Sequence, residues 1–324
     1  MIISRTPFRI SFLGGGTDYP QWFEEHGGAV IGTSIDKYCY ITLRRLPPYF
    51  PERNKIVYSQ MELTNSVDAI RHPSVRECLK AYNIADVEVY HHCDLPAKKG
   101  LGASSAFTVG LIHTIHALKG ETISHDSLAK QAVWIEQGKI QETVGCQDQY
   151  LTSFGGFRHI SFDTRHGVDI VDLSQYKQRL EPFLMLFDTF LWHNASQVAA
   201  EQMIMMNSKV TDYKELQSYV TDGIKCLESD DMKGFAKLLN LSWLIKRGLS
   251  RRITNSAIDE LYEAGMKAGA MAGKLIGAGA GGYMLFLVEP DKHNLVKGAL
   301  EHHAVSIPIK FEQTGSQIIY QGSA

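Results

Sequence analysis

The first half of the chain alternates segments with the hydrophobic pattern of strands and segments with that of helices. Residues 10–13 and 39–43 are short apolar runs typical of buried strands, and residues 87–93 alternate with period two, as in a half-buried strand. Apolar side chains then recur at helical spacing over residues 104–118. A second helix is predicted from Ser127 to about Ile140. This half of the chain is therefore expected to be an α/β region.

The second half is richer in helical patterns. A core strand is predicted at 182–187, and we place a domain boundary just before it, with an N-terminal domain of residues 1–178 and a C-terminal domain of residues 179–324. Helices are predicted near 196–207, 211–228, 231–246 and 255–273. A glycine-rich turn and an apolar strand from Tyr283 follow them. Since 324 residues are enough for two hydrophobic cores, we expect two domains with a cleft between them.

Composition and charge limit the classes of partner. A hydrophobic fraction of 44% with 21% charged residues is ordinary for a globular protein that folds throughout. A formal net charge of −2 and a pI near 6.7 provide no field that would hold nucleic acid or an anionic membrane. Small molecules are therefore the expected partners, and any phosphate binding should be local.

The cysteines and the amino terminus indicate a compartment. The 5 cysteines are scattered and show no Cys-x-x-Cys spacing, so reduced, packed thiols are expected. The first residues lack a basic segment followed by a long apolar one, and no apolar run approaches the roughly 18 residues of a membrane span. We expect a cytoplasmic protein, and the sequence leaves its oligomeric state open between monomer and homodimer.

The segment with the most specific chemistry is the glycine loop of residues 95–106, Leu-Pro-Ala-Lys-Lys-Gly-Leu-Gly-Ala-Ser-Ser-Ala. It lies between a predicted strand and a predicted helix, an arrangement that directs free backbone N–H groups and the positive end of the helix dipole at an anion. The hydroxyls of Ser104 and Ser105 could cap this helix and contact a magnesium ion that bridges phosphates. A plain capped helix is the alternative.

Two better-known phosphate-binding folds are disfavoured. No Gly-x-x-x-x-Gly-Lys-Ser/Thr motif occurs, which argues against a P-loop fold. Residues 277–282 match Gly-x-Gly-x-x-Gly, but they follow a predicted helix and enter a predicted strand, the reverse of the order in dinucleotide-binding folds. This second glycine segment is either a tight connection or a stretch of backbone that lines the active site.

Three segments resemble, in order, the signature motifs of the GHMP kinases, the family of galactokinase and of homoserine, mevalonate and phosphomevalonate kinases. Residues 6–19 resemble the first motif, residues 96–106 the second and residues 274–282 the third. The resemblance spans nearly the full chain. It implies an α/β (α+β) fold of two domains, the first with a ribosomal-protein-like core and the second helix-rich and ferredoxin-like, with ATP and substrate in the cleft.

The resemblance also implies a catalytic set for ATP- and Mg²⁺-dependent phosphoryl transfer. Asp148 matches the catalytic aspartate of the sugar-kinase branch, and Arg9 matches a basic residue that keeps this aspartate ionised and stabilises the transferring group. Ser104 and Glu136 match the magnesium ligands, with Ser105 as the weaker candidate. The ATP phosphates are assigned to Gly100, Leu101, Gly102, Ala103, Ser104 and Ser105. Taken singly, each charged residue would more often be a surface group than a catalytic one; their agreement with one set favours the catalytic interpretation.

The first motif argues against galactose as the substrate. Galactokinases carry Gly-Glu-His-Thr-Asp-Tyr where this chain has Gly-Gly-Gly-Thr-Asp-Tyr at residues 14–19, so the glutamate and histidine that bind galactose hydroxyls are missing. The remaining candidate substrate contacts are Asp18, Gly15, Gly16, Thr17, Gly279 and Gly281.

Residues 9–20, 243–250 and 253–255 resemble the bacterial D-glycero-D-manno-heptose 7-phosphate kinases of this family. That resemblance implies phosphorylation of the anomeric C1 hydroxyl to the 1,7-bisphosphate, on the route to GDP-heptose and surface polysaccharide. A phosphorylated sugar needs a cationic pocket, for which Lys246 and Arg247 are the first candidates. Further candidates are Arg251, Arg252, Lys98, Lys99, Arg44 and Arg45.

Three alternatives remain open. A fucokinase-like or other sugar-1-kinase would share most of the pattern. A non-catalytic sugar sensor on the same fold would not need Arg9, Ser104, Glu136 and Asp148 together. A decarboxylase relative should not show the sugar-type first motif.

Overall fold

The computed structural model describes residues 1–96, 99–191 and 195–322, except for the side chains of residues 195 and 196. Lys98, one of the candidate cations, lies outside the described residues. None of the helices in these ranges is long and apolar enough to cross a membrane.

The described strands form two sheets. They are β1 Ile2–Leu13, β2 Gly28–Arg45, β3 Asn54–Val57, β4 Met61–Thr64, β5 Val87–Cys93, β6 Phe157–Phe162, β7 Val168–Asp172, β8 Leu184–Asp188, β9 Ala272–Leu275, β10 Tyr283–Leu287, β11 Val305–Ile307 and β12 Gln317–Gln321. The first sheet has the order β12-β1-β2-β5-β3-β4, with β6 on the other half of β2 and β7 beside β6. The second sheet has the order β11-β8-β10-β9.

The described helices occur in both halves of the chain, and the two longest, of 19 and 18 residues, lie in the second half. The helices are α1 Pro20–His26, α2 Pro73–Ala81, α3 Ala103–Leu118, α4 His125–Val133, α5 Gln147–Phe154, α6 Lys177–Leu180, α7 Ala195–Met205, α8 Val210–Glu228, α9 Met232–Leu249, α10 Ser256–Lys267 and α11 His293–Leu300. Single 3₁₀ turns occupy Val67–Ala69, Ser174–Tyr176, Glu181–Phe183, Met206–Ser208 and Pro290–Lys292. The expected mixed α/β class is confirmed.

Strand β1 is much longer than the predicted strand of residues 10–13. It is buried without interruption from Thr6 to Leu13, although its sequence there includes polar residues. The first residues of β1 are also held by a polar contact, because the Ser4 hydroxyl donates to the carbonyl of Gly110 on α3 (3.0 Å). Buried polar groups with hydrogen-bond partners are compatible with a core strand, which is why hydrophobicity alone missed this part of β1. Strand β1 thereby carries Arg9 into the interior.

Helix α3 follows β5 and packs against β1 and β2, as the helical pattern predicts. Its side chains are buried on nearly every face, including Phe107, Leu111 and Ile115. A second core contains Phe187 and Phe286 of the second sheet together with Trp243 of α9 and residues of α10 and α11. The two cores meet along α8 and α9, both of which also contact β1.

The second predicted helix changes its winding before it ends. Helix α4 gives way to a π-helical segment, Trp134–Lys139, which contains Glu136. Such segments are rare and occur often at functional sites, because the extra residue per turn reorients the side chains that follow. Here the side chain of Glu136 is directed into the interior beside α3 and α5.

The predicted helix of residues 255–273 is wrong at its end. Helix α10 stops at Lys267, Gly269 takes a left-handed conformation (φ +106°), and residues 272–275 form β9. A Cβ on Gly273 would lie 2.7 Å from Cε1 of Phe286, so this strand needs a residue without a side chain. The second glycine segment therefore joins two antiparallel strands, β9 and β10, rather than a helix and a strand.

The change from the first sheet to the second lies between β7 and β8, the interval that contains the predicted boundary at residue 178. The last strand does not follow that simple division. Strand β12 returns to the first sheet and pairs antiparallel with β1, from Ile2 opposite Gln321 to Arg5 opposite Gln317. The carboxy-terminal segment thus covers the edge of the sheet that carries Arg9.

Candidate active site

Arg9 and Asp148 form a bidentate ion pair where β1 meets α5. Nε of Arg9 donates to Oδ1 of Asp148 (2.6 Å), and Nη2 donates to Oδ2 (2.5 Å). Arg9 is only 6% exposed, whereas the Asp148 side chain retains about a quarter of its accessibility (23%). This fork geometry fixes the carboxylate in one orientation while leaving it reachable from outside. The structure thus brings together the two residues predicted to be catalytic.

The glycine loop wraps directly around this pair. Nη1 of Arg9 donates to the carbonyl of Gly100 (2.5 Å), and the Arg9 backbone N–H donates to the carbonyl of Leu101 (3.0 Å). Gly102 has φ +71°, and a Cβ there would lie 3.0 Å from Cγ of Arg9 and 3.4 Å from Oδ2 of Asp148. The loop can approach the pair this closely only because residue 102 has no side chain.

The start of α3 differs from the predicted cap. Gly102 is the N-cap, and no described side chain caps this helix, so the expectation that Ser104 or Ser105 does so is wrong. The first helical bond runs from the N–H of Ala106 to the carbonyl of Gly102, which places the N–H groups of residues 103–105 outside the helical ladder. A left-handed glycine cap leaves these donors and the helix dipole directed outward beside Asp148, as phosphate binding requires.

The two serines of the loop have different surroundings. The Ser105 side chain is buried, and its hydroxyl donates to Oε2 of Glu136 (3.0 Å). Ser104 is exposed on the first turn of α3. The assignment of Ser104 to the metal remains a prediction, while the described contacts place Ser105 beside the acidic candidate.

Glu136 is fully buried (0% exposed) and only partly satisfied. Oε2 accepts hydrogen bonds from Ser105 and from Nε2 of Gln149 (2.5 Å), whereas Oε1 has no hydrogen-bond partner among the described residues. Burial raises the pKa of this carboxyl to about 7, because charge is costly in an apolar environment. An unpartnered carboxylate oxygen fits a magnesium ion, which prefers oxygen ligands and fills its remaining positions with water and phosphate. Glu136 would hold such an ion from the protein side.

Replacing Glu136 with glutamine should separate stability from activity. The folded-state pKa lies above the usual 4.5, so the stability contribution of this carboxyl is complete below pH 4.5 and is lost as pH rises through about 7. The neutral amide of the Glu136→Gln variant does not ionise, so the variant does not lose this stability as pH rises. In chelator at pH 8, the free energy of unfolding of Glu136→Gln should therefore equal or exceed that of the wild type, by at most roughly 3 kcal/mol, with a smaller difference at pH 4.5.

Turnover of the same variant with ATP and magnesium should fall at least about a hundredfold, since one charged oxygen at the phosphates is gone. Chemical unfolding at the two pH values and steady-state kinetics measure both effects, with the exposed Glu260→Gln as the control. A variant that is markedly less stable at pH 8 than the wild type, yet turns over normally, would contradict this account of Glu136.

Asp18 ties the first motif to the start of α5. Its Oδ1 accepts the N–H of Gly16 (3.0 Å), and its Oδ2 accepts the N–H of Gln147 (3.1 Å), the residue before Asp148. Burial and the neighbouring charge of Asp148 raise the pKa of Asp18. A Cβ on Gly145 would lie 2.0 Å from Oδ2 of Asp18, which shows how closely the two segments meet. Asp18 therefore positions Asp148 in addition to lying beside it.

The other first-motif candidates have distinct environments. The Thr17 hydroxyl is committed to the backbone, donating to the carbonyls of Gly14 (2.8 Å) and Ala29 (2.9 Å). Gly15 lies beside Ser11, whose Oγ would be 3.3 Å from an added Cβ. Gly16 (φ +101°) lies against the ring of Tyr213 on α8. Gly15 and Gly16 thus make room for side chains from elsewhere, whereas Thr17 stabilises the turn.

The sequence patterns did not mark three polar atoms around Gly15 and Gly16 as candidate substrate contacts. Oγ of Ser11, Oε1 of Gln147 and the hydroxyl of Tyr213 are buried and have no hydrogen-bond partner among the described residues. Nothing in their local patterns marks them, and only the fold brings α8 to the first motif. Polar atoms left unpaired in this way are costly unless a ligand or water completes them.

The second glycine segment packs onto the first. A Cβ on Gly277 would lie 2.3 Å from Cα of Gly100, and one on Gly282 would lie 2.2 Å from the carbonyl oxygen of Lys99. The segment is therefore both a tight hairpin connection and a backbone wall of the phosphate loop. The candidates Gly279 and Gly281 face elsewhere, and added Cβ atoms there would meet the backbones of Ile253 and Leu191.

Most candidate cations are engaged outside the site. Arg247 pairs with Asp259 (2.9 Å), Arg252 with Glu201 (3.1 Å), Lys99 with Asp188 (2.7 Å) and Arg44 with Glu88. Arg45 donates to the carbonyl of Ala85, and Arg251 is exposed. Lys246 is directed at the second glycine segment, donating to the carbonyls of Leu275 (3.1 Å) and Gly277.

Comparison with known families decides the assignment. The family model of the GHMP kinases N terminal domain matches residues 69–156, and the model of the GHMP kinases C terminal matches residues 224–305. Together they cover slightly more than half of the chain, including the glycine loop, Glu136 and Asp148. The chain is a GHMP kinase. As members of this family use ATP, the protein is an ATP-dependent kinase.

Relatives of this GHMP kinase act on several small molecules. The D-glycero-alpha-D-manno-heptose 7-phosphate kinase of Campylobacter jejuni is 27% identical over 97% of this chain and 97% of its own length. A mevalonate kinase of Archaeoglobus fulgidus is 25% identical over 84% of this chain and 95% of its own. The crystal structure of a D-glycero-D-manno-heptose 1-phosphate kinase from Bacteroides thetaiotaomicron superposes over 100% of both chains, with a TM-score of 0.78 and 22% identity. The GHMP kinase fold is thus confirmed over the whole chain.

Proposed function

We propose that this GHMP kinase transfers the γ-phosphoryl group of ATP to the anomeric C1 hydroxyl of D-glycero-D-manno-heptose 7-phosphate. The product would be the heptose 1,7-bisphosphate, an intermediate on the route to GDP-heptose and surface polysaccharide. The observation that carries the kinase chemistry is the Arg9–Asp148 pair, which lies directly against a glycine loop at an uncapped helix start. The Campylobacter jejuni relative, matched over nearly its full length, supports the choice of sugar.

Each part of the site has a role in this reaction. Asp148 accepts the proton of the anomeric hydroxyl, which is more acidic than an ordinary alcohol, so a carboxylate is a sufficient base. Arg9 holds that carboxylate in place and offers its charge to the transferring group. The loop N–H groups of residues 103–105 bind the phosphates of ATP. Magnesium, when bound, would spread the charge that develops on these phosphates, and Glu136 would be its protein ligand.

The first motif supports a sugar other than galactose. In place of long side chains, Gly15 and Gly16 admit Ser11, Gln147 and Tyr213, whose unpaired polar atoms could bind hydroxyl groups. A sugar whose hydroxyl groups match these polar atoms should therefore bind better than galactose does, since unmatched hydrogen-bonding groups are strongly rejected.

A fucokinase-like activity is the second candidate. The L-fucokinase/L-fucose-1-P guanylyltransferase of Bacteroides fragilis is 23% identical over 92% of this chain, although the match spans only 35% of that longer protein. Fucose carries no phosphate, so the two candidates differ in whether the acceptor needs an anion site.

A panel of acceptors tests the proposal. ATP consumption with magnesium should be fastest with D-glycero-D-manno-heptose 7-phosphate, and kcat/KM should be at least about a hundredfold lower for the unphosphorylated heptose, L-fucose and galactose. The Asp148→Asn variant serves as the control for contaminating kinases. A preference for fucose would refute heptose 7-phosphate as the acceptor. Release of carbon dioxide from a diphosphorylated acid would refute the proposed kinase reaction.

A further inference from the structure

Two lysines, Lys274 buried and Lys246 half-buried, lie behind Arg9 on the side of the second sheet. Lys274 on β9 is only 4% exposed, and its ammonium donates to the carbonyl of Phe12 (2.5 Å), three residues beyond Arg9 on β1. Lys246, in the last turn of α9, donates to the carbonyl of Gly277. Gly277 packs against Gly100, whose carbonyl is itself an acceptor for Arg9. Arg9 and Lys246 therefore meet at one junction of the two glycine segments, and Lys274 lies next to this junction, on β9 against β1.

The charges at this junction do not balance. Arg9 is paired with Asp148, but no carboxylate among the described residues lies within the 4.0 Å ion-pair distance of Lys246 or Lys274. Backbone carbonyls solvate part of each ammonium without neutralising it, and buried charge without a counterion is costly.

The electrostatic consequences agree with this geometry. Burial and the nearby charge of Arg9 lower the pKa of Lys274 to about 7. Burial, Lys274 and Arg9 together lower the pKa of Lys246 well below its usual value. The pKa of Lys246 thus responds to Lys274 and Arg9, and the pKa of Lys274 responds to Arg9, as expected where positive charges lie close together.

Arg247, the neighbour of Lys246, has a counterion. Arg247 follows Lys246 on the same helix, yet it is neutralised by Asp259 and packs against Trp243 and Tyr262. Within the part of the chain that the structure describes, a carboxylate therefore pairs with Arg247, and none pairs with Lys246, the cation that faces the glycine segments. A ligand that brings negative charge would complete the cluster.

We propose that Lys246 and Lys274 form an anion subsite behind Arg9 that binds a phosphate dianion of a bound substrate. The inference rests on the proposed function and deepens it, because the 7-phosphate of the acceptor is the expected source of that dianion. The terminal phosphate of ATP is the other source of the same chemistry. Lys246 was a candidate in the sequence, whereas Lys274 was not.

Kinetics distinguish the two sources. The variants Lys246→Met and Lys274→Met should raise KM for the heptose 7-phosphate at least tenfold and leave KM for ATP and for the unphosphorylated heptose within twofold of the wild type. A rise in KM for ATP instead would support the subsite and assign it to the nucleotide. Lys237→Met, an exposed lysine on the same helix, is the matched control. If neither KM changes beyond twofold in either variant, the subsite is refuted.

Direct binding provides a readout that does not depend on turnover. Inorganic phosphate is titrated calorimetrically into the wild type and each variant, with and without a saturating non-hydrolysable ATP analogue and magnesium. Phosphate binding that needs both lysines and persists with the analogue indicates the acceptor phosphate, and binding that the analogue displaces indicates the nucleotide. Phosphate binding that is unchanged in both variants overturns the proposal.

Loss of folding would not explain these results. Because Lys274 is buried with a lowered pKa, Lys274→Met should melt at the same temperature as the wild type or higher at pH 7 in phosphate-free buffer. Failure of the wild type to phosphorylate any sugar phosphate would refute the proposed function, while the calorimetric result would still decide the subsite.

Discussion

Replacing Asp148 with asparagine is expected to lower kcat by about three orders of magnitude, within the range that a positioned general base supplies. The amide cannot accept the proton of the sugar hydroxyl. It can still occupy the same space, because Oδ1 remains an acceptor for Nε of Arg9, and Nη1 of Arg9 keeps the Gly100 carbonyl. The fold should therefore persist with a loss of about 1–3 kcal/mol in the free energy of unfolding, since Arg9 loses a charged partner.

Steady-state kinetics, ATP-binding titration and chemical unfolding measure the three consequences. Asp222→Asn is the matched control, because Asp222 pairs with Lys225 at the exposed surface of α8 and should have no effect on turnover. An Asp148→Asn variant that is stable, binds ATP normally and retains more than a tenth of wild-type kcat would remove Asp148 from the role of base.

Replacing Gly100 with alanine is expected to reduce kcat/KM at least about a hundredfold and to destabilise the fold. Gly100 has φ +90°, and an added Cβ would lie 2.3 Å from the carbonyl oxygen of Ile276 and 3.0 Å from Cα of Gly277. Both neighbours are backbone, so the two glycine segments must separate. Because Nη1 of Arg9 is bound to the Gly100 carbonyl, that separation displaces the Arg9–Asp148 pair, and displacements of about 1 Å are enough for losses of this size.

Gly120 provides a matched control for the backbone cost. It also has a left-handed conformation (φ +73°), but an added Cβ there would meet nothing within 4 Å. Gly120→Ala should cost about 1–2 kcal/mol in the free energy of unfolding and leave kinetics unchanged. Gly100→Ala should cost more than this control and, unlike it, should impair catalysis. Equal kinetic behaviour of the two variants would show that contact between the glycine segments does not position the site.

The hydrophobic pattern along the chain predicted the strands and helices that form because of their own apolar spacing. Strand β5 occupies residues 87–93 as predicted, and α3 begins within one residue of its predicted start, because period-two and helical spacing of apolar residues report directly on burial. Strand β1 and β9 could not be predicted in this way. Their polar or small residues are buried through contacts with distant segments, such as Ser4 with α3 and Gly273 with Phe286.

The candidate site also combines features that local sequence predicts with features that only distant contacts produce. The glycine loop is a contiguous motif, and family resemblance identified Arg9, Glu136 and Asp148 as a set that the fold brings near this loop. Which serine contacts Glu136 depends on the left-handed cap at Gly102, which places Ser105 inward. Tyr213 carries no local signal, and Lys274 opens the third motif without being marked there as a cation of the site, because the contacts of both arise only where the second half of the chain packs onto β1 and the first motif.

The most direct test of the central claim is the position of the new phosphate in the product. Purified protein is incubated with ATP, magnesium and D-glycero-D-manno-heptose 7-phosphate, and the products are followed by phosphorus and proton NMR. The account predicts one new phosphate ester coupled to the anomeric proton, formed in equal amount to ADP and absent with Asp148→Asn. Formation of ADP without a sugar phosphate, or a phosphate at any other carbon, would contradict it.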